Sequence, residues 1–200
     1  MRLLGVRGRP SCYALALIDG ELAIKGSIMI SLETSAGSFN VRAVGVAIHD
    51  EQVLLHRAAH DAWWALPGGR VELHESSADA LVREMREEMG VEVELRRLLW
   101  VMERFFVSSR RHHSIQFYYL MQVPEALFPA SAPTFTSPES NDTPLAFQWY
   151  PLAELESLAM PLYPAMLCTM LRRLPETVVH LVAADQVIGE QGQPAVERLP

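Results

Sequence analysis

The chain has 200 residues, of which 50% are hydrophobic, and its 24 acidic and 17 basic side chains give a formal charge of −7. This length and composition predict one domain with a substantial core, and the acidic balance argues against a nucleic-acid polymer as the main partner. No apolar run is long enough to span a bilayer, so we expect no membrane association. Cys12 and Cys168 lie too far apart in sequence for metal-ligand spacing, which favours reduced thiols and a cytoplasmic location.

Residues 1–40 are expected to form an N-terminal extension. A short apolar stretch at 12–18 follows several arginines, but Asp19 and Glu21 end it, which favours a non-targeting segment over a signal peptide. Because Met29 stands just before the first expected domain strand, one hypothesis is that residues 1–28 derive from an upstream start codon. Finding the full-length form by N-terminal sequencing of the native protein would overturn this hypothesis.

The first expected domain strand runs from Val41 to Ile48, which is almost continuously apolar and rich in branched side chains. A second strand is predicted at 53–56. The tandem tryptophans Trp63 and Trp64 then lead into the turn Leu66-Pro67-Gly68-Gly69, where two glycines allow another group to approach the backbone closely.

A helix is predicted from about 77 to 89, with Ser76 or Ser77 as its N-cap and Gly90 as its left-handed closing residue. Its apolar positions form one core-facing stripe, made of Ala78, Leu81, Val82, Met85 and Met89. Glu84, Glu87 and Glu88 share another face, which is unfavourable unless a cation binds there. Carboxylates together with a backbone carbonyl from the glycine turn suit Mg²⁺ or Mn²⁺ better than zinc, and Mg²⁺ usually also takes phosphate oxygens from a substrate.

Two further strands, 92–107 and 115–123, are predicted to form a hairpin with a basic tip at 108–113. We expect a long loop at 124–144, a strand at 145–150 and a second helix at 164–174. This order of elements predicts an α/β fold of the mixed α+β kind, in which a mixed central sheet is covered on both faces. The domain is expected at 41–175, followed by a C-terminal extension at 176–200 with a frayed end.

The segment from Gly69 to Val91 resembles the Nudix box, G-x5-E-x7-R-E-U-x-E-E-x-G-U, where U is a bulky aliphatic residue. Every fixed position of the pattern is filled, by Gly69, Glu75, Arg83, Glu84, Met85, Glu87, Glu88, Gly90 and Val91. We extend the resemblance to residues 41–175. Where one family subtype often carries a proline past the box, this chain has Phe106 and Val107, and where another often carries a tyrosine it has Val107, Ser108 and Ser109, so the resemblance indicates no subtype.

The resemblance implies an α/β/α sandwich that hydrolyses a nucleoside diphosphate linked to another moiety, by attack of water on phosphorus with Mg²⁺ or Mn²⁺. Small nucleotides, oxidised nucleotides and nucleotide-sugars such as ADP-ribose are such substrates. It also implies roles for the box residues. Glu87 and Glu88 would be metal ligands, Glu84 a ligand or the general base, and the Gly68 carbonyl a further ligand. Arg83 would orient these acids, with Gly69 and Glu75 in supporting positions. Which carboxylate is the base, and how many metal ions bind, stay open.

Outside the box the candidates are less specific. Trp63, Trp64 and Phe105 are candidates for stacking on the substrate, although each is also a common core residue. Arg110 and Arg111, with His112 and His113, are candidates for binding phosphate at the hairpin tip, where a solvated turn is the alternative. Glu103 and Glu139 are candidates for an extra acid or ligand, with a surface role as the alternative.

Two classes of function follow from these features. The first is a nucleotide pyrophosphohydrolase, and the second is a non-catalytic nucleotide-binding or regulatory Nudix module. The intact acids favour the enzyme. A homodimer is allowed by the sequence but not indicated by it.

Overall fold

The computed structural model describes residues 14–18, 21–25, 29–108, 110–129, 134–136, 144–184, 187–188 and 194–195. In chain order the elements are β1 (Ala14–Ile18), β2 (Glu21–Lys25), β3 (Ser31–Thr34), β4 (Gly37–Val46), β5 (Ile48–His49), β6 (Gln52–Ala58), β7 (Gly68–Arg70), α1 (Ser77–Met89), β8 (Glu94–Val107), β9 (Arg111–Gln122), β10 (Thr134–Thr136), β11 (Leu145–Pro151), α2 (Leu167–Met170), β12 (Val179–Ala184), β13 (Val187–Ile188) and β14 (Pro194–Ala195). Short 3₁₀ helices lie at Glu125–Leu127 and Leu152–Ser157.

The main sheet is mixed, as expected from the order of the elements. Its strand order is β12-β8-β9-β4-β3, and β7 pairs with β4 beyond the end of β3. The β4–β9 and β8–β12 pairs are parallel, whereas β8–β9, β3–β4 and β4–β7 are antiparallel. A second, antiparallel sheet has the order β10-β11-β6-β5.

Alternate residues of β4 and β6 serve two separate cores, because successive side chains on a strand point to opposite faces. Ala43 and Leu54 pack in the core that α1 covers. Val44 and Leu55 pack in the other core, called the second core below, which the segment from Leu155 to Leu171 helps to close. The expected covering of the sheet on both faces is therefore present.

Helix α1 begins and ends where the sequence predicts. Ser76 is the N-cap, and its hydroxyl accepts a hydrogen bond from the Asp79 amide at 3.1 Å. Gly90 closes the helix in the left-handed conformation with φ 68°. The fully buried face is made of Ala80, Leu81, Met85 and Met89, so Ala80 takes the place expected for Ala78 and Val82, which are only half-buried.

The second helix is shorter than expected. Residues 164–174 do turn continuously, but the backbone bonds at both ends of the turn span three residues, as in Leu167 N to Pro164 O (3.1 Å) and Arg173 N to Met170 O (3.3 Å). Only Leu167–Met170 is α-helical. Bonds over three residues define the tighter 3₁₀ geometry, so the α-helix covers only the centre of the predicted span.

The β8–β9 hairpin has a tighter tip than the sequence indicated. Strand β9 begins at Arg111, so His112 and His113 are strand residues and the tip is confined to residues 108–110. The two histidines stack on Phe106 and Phe105, with ring centroids 4.5 and 4.3 Å apart, which holds them in the pairing. The expectation of a basic tip at 108–113 was therefore too wide.

The C-terminal part of the chain contributes a strand to the main sheet. Strand β12 pairs in parallel with β8, and Ala183 is buried in the second core. The sheet thus extends past the expected domain end at 175, and β3 extends it before residue 41. Cys168 is a buried free thiol, as expected, whereas Cys12 lies outside the described residues. Neither helix in the described part of the chain is long and apolar enough to cross a membrane.

Candidate active site

The glycine turn lies directly against the middle of β4. Gly68 pairs with Val44 and has φ 141°, and a Cβ at this position would lie 2.2 Å from the Ala43 carbonyl oxygen. The backbone conformation and the contact therefore both require glycine. The Gly45 amide also donates a hydrogen bond to the Pro67 carbonyl at 2.8 Å, so β4 holds the turn at Pro67 as well as at Gly68.

Gly69 lies directly against the Glu84 carboxylate. A Cβ on Gly69 would lie 1.9 to 2.1 Å from the three atoms of that carboxylate, so the acid rests on the bare Cα. The Glu84 side chain is only 13% exposed. Burial raises the pKa of Glu84, the hydrogen bond from Arg83 opposes the rise, and the charge of Glu88 adds to it. The pairing of β7 with β4 thus places a buried, proton-attracting carboxylate beside the turn.

Arg83 is tied into the loop and the helix by several hydrogen bonds. Its Nε and one terminal nitrogen donate to the two oxygens of Glu75, both at 2.9 Å, and the same terminal nitrogen donates to the Arg70 carbonyl at 2.9 Å. The other terminal nitrogen donates to Glu84 Oε1 at 3.0 Å and to Glu87 Oε2 at 3.1 Å. These contacts position the acids of α1 and occupy the guanidinium with protein oxygens.

Glu75 also fixes the loop that precedes α1. Its second oxygen accepts a hydrogen bond from the Glu72 amide at 3.0 Å. The hydrogen bond from Arg83 lowers the pKa of Glu75, which keeps the carboxylate charged. The same bond raises the pKa of Arg83 above its ordinary value.

Glu88 faces a histidine that the sequence did not single out. His56 Nδ1, at the end of β6, lies 3.6 Å from Glu88 Oε2, and the two side chains are 12% and 19% exposed. Both atoms are buried, and neither has a hydrogen-bond partner among the described residues. The only signal in the sequence was that the apolar run Val53-Leu54-Leu55 is followed by two polar residues, His56 and Arg57.

Arg42 is the second residue that sequence reasoning missed. It interrupts the apolar strand β4, and its guanidinium donates to the Gly68 carbonyl at 3.2 Å. Burial and the neighbouring Arg70 lower the pKa of Arg42, while the charges of Glu84 and Glu88 oppose this shift. A positive charge therefore lies within electrostatic reach of the acids.

The remaining candidates are distributed over several parts of the fold. Trp64 is 3% exposed in the core, whereas Trp63 is 43% exposed and remains a candidate for contact with a ligand. Phe105 stacks on His113, and Arg110 pairs with Glu33. Glu103 contacts His180 at 2.9 Å on the neighbouring strand β12. Arg111 is an exposed residue at the start of β9, and Glu139 lies outside the described residues.

The comparison with known families agrees with this arrangement. The family model described as the NUDIX domain matches residues 39–169, which is more than half of the chain. The chain belongs to the Nudix family.

Individual Nudix relatives match shorter stretches. A Bacillus subtilis protein provisionally named an ADP-ribose pyrophosphatase, YjhB, is 37% identical over 79 residues, which are 40% of this chain and 36% of that protein. Human diphosphoinositol polyphosphate phosphohydrolase 2 is 36% identical over 78 residues, or 39% of this chain and 41% of its own length. The matched part thus spans well under half of these curated relatives.

A solved structure supports the Nudix fold. The crystal structure of a mutator MutT protein from Bacillus halodurans superposes with a TM-score of 0.52 at 16% identity, over 78% of this chain and 95% of that one. At this level of identity the likeness concerns the fold.

Nudix hydrolases generally use divalent metals such as Mg²⁺, and the residues present here suit such an ion. No three His, Cys, Asp or Glu side chains of the described residues converge as a complete metal site, and Arg83 holds one oxygen each of Glu84 and Glu87. The donors are nevertheless of the right kind. Glu88 Oε2 is buried and has no hydrogen-bond partner within the part of the chain that the structure describes, and Gly69 leaves room for the Glu84 carboxylate. A buried carboxylate oxygen without a partner is costly unless a cation or proton binds it.

Proposed function

We propose that this protein is a metal-dependent Nudix pyrophosphohydrolase. Its substrate is a small nucleoside diphosphate linked to another moiety, such as an oxidised nucleotide or a nucleotide-sugar like ADP-ribose. Mg²⁺ is the proposed cofactor, and Mn²⁺ is the proposed substitute. The non-catalytic binding module is the alternative that the experiment below tests.

The observation that carries this proposal is the pair of buried acids on one face of α1. Glu84 is held over Gly69 with a raised pKa. Glu88, one helical turn later, presents an oxygen that has no hydrogen-bond partner among the described residues. A solvated helix face would give neither burial nor an unsatisfied oxygen. Both features suit acids that work on a cation and a water molecule.

The proposed ligands are Glu88, Glu84 and the Gly68 carbonyl, with Glu87 at the exposed side of the cluster. The carbonyl of Gly68 already accepts from Arg42, but a carbonyl has two lone pairs and can serve a second partner. The bound cation would lower the pKa of water and offset phosphate charge. Arg42 adds a positive charge, and a guanidinium can bind two phosphate oxygens at once.

In the proposed reaction the oxygen of water forms a bond to one phosphorus, and the bond from that phosphorus to the bridging oxygen breaks. The proton of the water passes to a carboxylate, and we assign this role to Glu84. Its position over Gly69 and the hydrogen bond from Arg83, which orients it, suit Glu84 to this role. Two phosphate-bearing fragments leave the site.

The names of the two relatives suggest which substrates to examine first. One refers to ADP-ribose and the other to diphosphoinositol polyphosphate. Both substrates contain a diphosphate and are small. We further propose a small-molecule substrate rather than a nucleic-acid polymer, because the chain carries a net charge of −7. We also propose a cytoplasmic location, because the two cysteines show no metal-ligand spacing and are expected to be reduced thiols.

The test is a panel of nucleotides, oxidised nucleotides, ADP-ribose, nucleotide-sugars and a diphosphoinositol polyphosphate. Each is assayed for phosphate products with Mg²⁺ or Mn²⁺, with and without a chelator. Running the reaction in ¹⁸O-labelled water identifies the attacked phosphorus by mass. We expect metal-dependent turnover of at least one diphosphate and one ¹⁸O atom in one product.

Absence of turnover for every compound, in folded protein that still binds a diphosphate, would favour the binding module. Activity that survives complete chelation would contradict the metal-dependent reaction. Glu154→Gln, which changes an exposed glutamate of the 3₁₀ helix at Leu152–Ser157, serves as a control for nonspecific effects of losing one charge.

A further inference from the structure

The contact between His56 and Glu88 joins β6 to α1 at the acidic face of the helix. The Nδ1 and Oε2 atoms are 3.6 Å apart and are buried, and neither finds a hydrogen-bond partner within the described part of the chain. Leaving such atoms without hydrogen-bond partners is unfavourable. A group that satisfies both atoms at once would remove this cost.

The distance between His56 Nδ1 and Glu88 Oε2 can be compared with the distances expected for a direct hydrogen bond, a bridging water and a shared cation. A direct N–H to oxygen hydrogen bond would bring them to about 2.7–3.2 Å. A bridging water would hold them about 4.5 Å apart, since each of its hydrogen bonds is about 2.8 Å long. Two ligands about 2.1 Å from one cation are about 3.0–3.4 Å apart at right or tetrahedral angles. The observed 3.6 Å lies between a direct hydrogen bond and a water bridge, so a small movement of either side chain would let one cation hold both atoms.

The histidine is also held in place, as a ligand must be. The His56 amide donates to the Ala65 carbonyl at 2.8 Å, and the Ala65 amide donates back at 2.9 Å. The centroid of the His56 ring lies 5.6 Å from that of Phe147, the residue of β11 that pairs with His56. The same backbone bonds connect His56 to the segment that leads into the glycine turn, so the ring and the turn are positioned together.

We propose that His56 Nδ1 is a direct ligand of the divalent cation that Glu88 holds. Both Mn²⁺ and Mg²⁺ prefer oxygen ligands, but Mn²⁺, as a transition-metal ion, accepts an imidazole nitrogen more readily than Mg²⁺ does. The proposal therefore includes a preference: His56 raises the affinity of the site for Mn²⁺ relative to Mg²⁺. It rests on the proposed function only in requiring a cation at the acids of α1, and not on turnover.

The test uses the full chain with Mn²⁺ alone and no substrate. Pulsed electron paramagnetic resonance of the bound Mn²⁺ detects nitrogen nuclei that are directly coordinated. We expect a ¹⁴N coupling in the wild type and in His60→Gln, a matched control that changes the exposed histidine after β6. The coupling should vanish in His56→Gln.

Metal affinity gives a second readout. Titration of free Mn²⁺ should show roughly 10- to 100-fold weaker binding for His56→Gln, the range seen when groups supporting a metal site are lost. Mg²⁺ binding, measured by competition against Mn²⁺, should weaken much less. The variant His56→Phe, which keeps a ring but no nitrogen, should behave like His56→Gln, and circular dichroism establishes that each variant folds.

Each result decides the proposal. Bound Mn²⁺ without ¹⁴N coupling in the wild type would overturn the ligand role and leave the hydrolase proposal intact. Coupling that persists in His56→Gln would have the same effect, because the nitrogen would then belong to another residue. Failure of the wild type to bind Mn²⁺ at all would overturn this proposal and the metal dependence proposed above.

Discussion

The glutamates of α1 look equivalent in sequence and differ sharply in the structure. Glu84 is 13% exposed and lies over Gly69, whereas Glu87 is 57% exposed and pairs with Arg83 in solvent. Glu88 is buried against His56. Because burial and missing partners make an acid reactive toward protons and cations, the three positions are expected to contribute unequally.

Replacing Glu84 or Glu88 by glutamine is therefore expected to lower kcat by about 100-fold or more, because each loses a charge needed for proton transfer or metal binding. Glu87→Gln should have a smaller effect, since its carboxylate is solvated and partly neutralised by Arg83. Steady-state kinetics with saturating Mg²⁺ checks the order, with Glu154→Gln as the control. Equal losses at all three positions would show that exposure does not set their roles.

Alanine substitutions at the two glycines of the turn are expected to affect different properties, kcat for Gly69 and Tm for Gly68. In Gly69→Ala the new Cβ meets the end of the flexible Glu84 side chain, so Glu84 moves and the fold tolerates the change. We expect kcat to fall roughly 10- to 100-fold, because small displacements of catalytic groups are costly, with little change in Tm. Kinetics and thermal unfolding of the same sample separate the two effects.

Gly68→Ala provides the contrast. Its Cβ would meet the Ala43 carbonyl, which is backbone, at a φ of 141°. Strain of this kind costs about 1–3 kcal/mol in the free energy of unfolding, so Tm should fall clearly. If Gly69→Ala lowered Tm as much as Gly68→Ala, the close approach of Glu84 to Gly69 would not be the reason for glycine at position 69.

At the scale of elements, Arg83 and Glu75 fasten the loop after β7 to the first turns of α1. The hydrogen bonds run from the helix to Glu75, in the loop after β7, and to the carbonyl of Arg70, the last residue of β7. The two side chains are 20% and 16% exposed, so solvent screens their interaction only in part. This contact sets where the acids of α1 stand relative to Gly68 and Gly69.

Glu75→Gln is expected to cost roughly 1.5–3 kcal/mol of unfolding free energy at neutral pH, the range for hydrogen bonds to charged groups. The pKa of Glu75 lies below its ordinary value of 4.5 in the folded state. Its contribution to stability is therefore complete above that value and is lost as the pH falls through the folded pKa. Urea unfolding of wild type and Glu75→Gln should differ most at pH 7, and the difference should shrink below about pH 4.5. A difference that grew on acidification would contradict the charged pair.

Elements defined by local signals were predictable from the sequence, and contacts between distant segments were not. The bounds of α1, its caps and the acids on one face follow from residues within a few positions of one another. His56 and Arg42 reach the acids from strands elsewhere in the chain, and periodicity carries no information about such pairings. Their visible trace was only a polar residue within, or directly after, an apolar strand.

At the scale of the whole molecule, the fold depends on pairing between segments far apart in the chain. Strand β12 lies parallel to β8 along Trp100 to Phe105, although the sequence between them includes β9 and β11. Its residues alternate between the second core and solvent, with Leu181 packed against the core and Val182 65% exposed. Five of its six residues are apolar, so the sequence shows neither this alternation nor the distant partner strand, and residues 176–200 were expected to form an extension.

This pairing gives a prediction for the size of the folding unit. If β12 is part of that unit, Leu181→Ala should lower the free energy of unfolding by about 1–2 kcal/mol, less than the about 2–5 kcal/mol of a fully buried leucine because it is only half-buried. Val182→Ala, on the solvent face of the same strand, should stay within about 0.5 kcal/mol of wild type. Urea unfolding of both variants in one cooperative transition measures the difference. Equal, negligible effects would mean that the sheet is stable without β12, whereas unequal effects would place residues 179–184 in the same cooperative unit as the Nudix domain at 39–169.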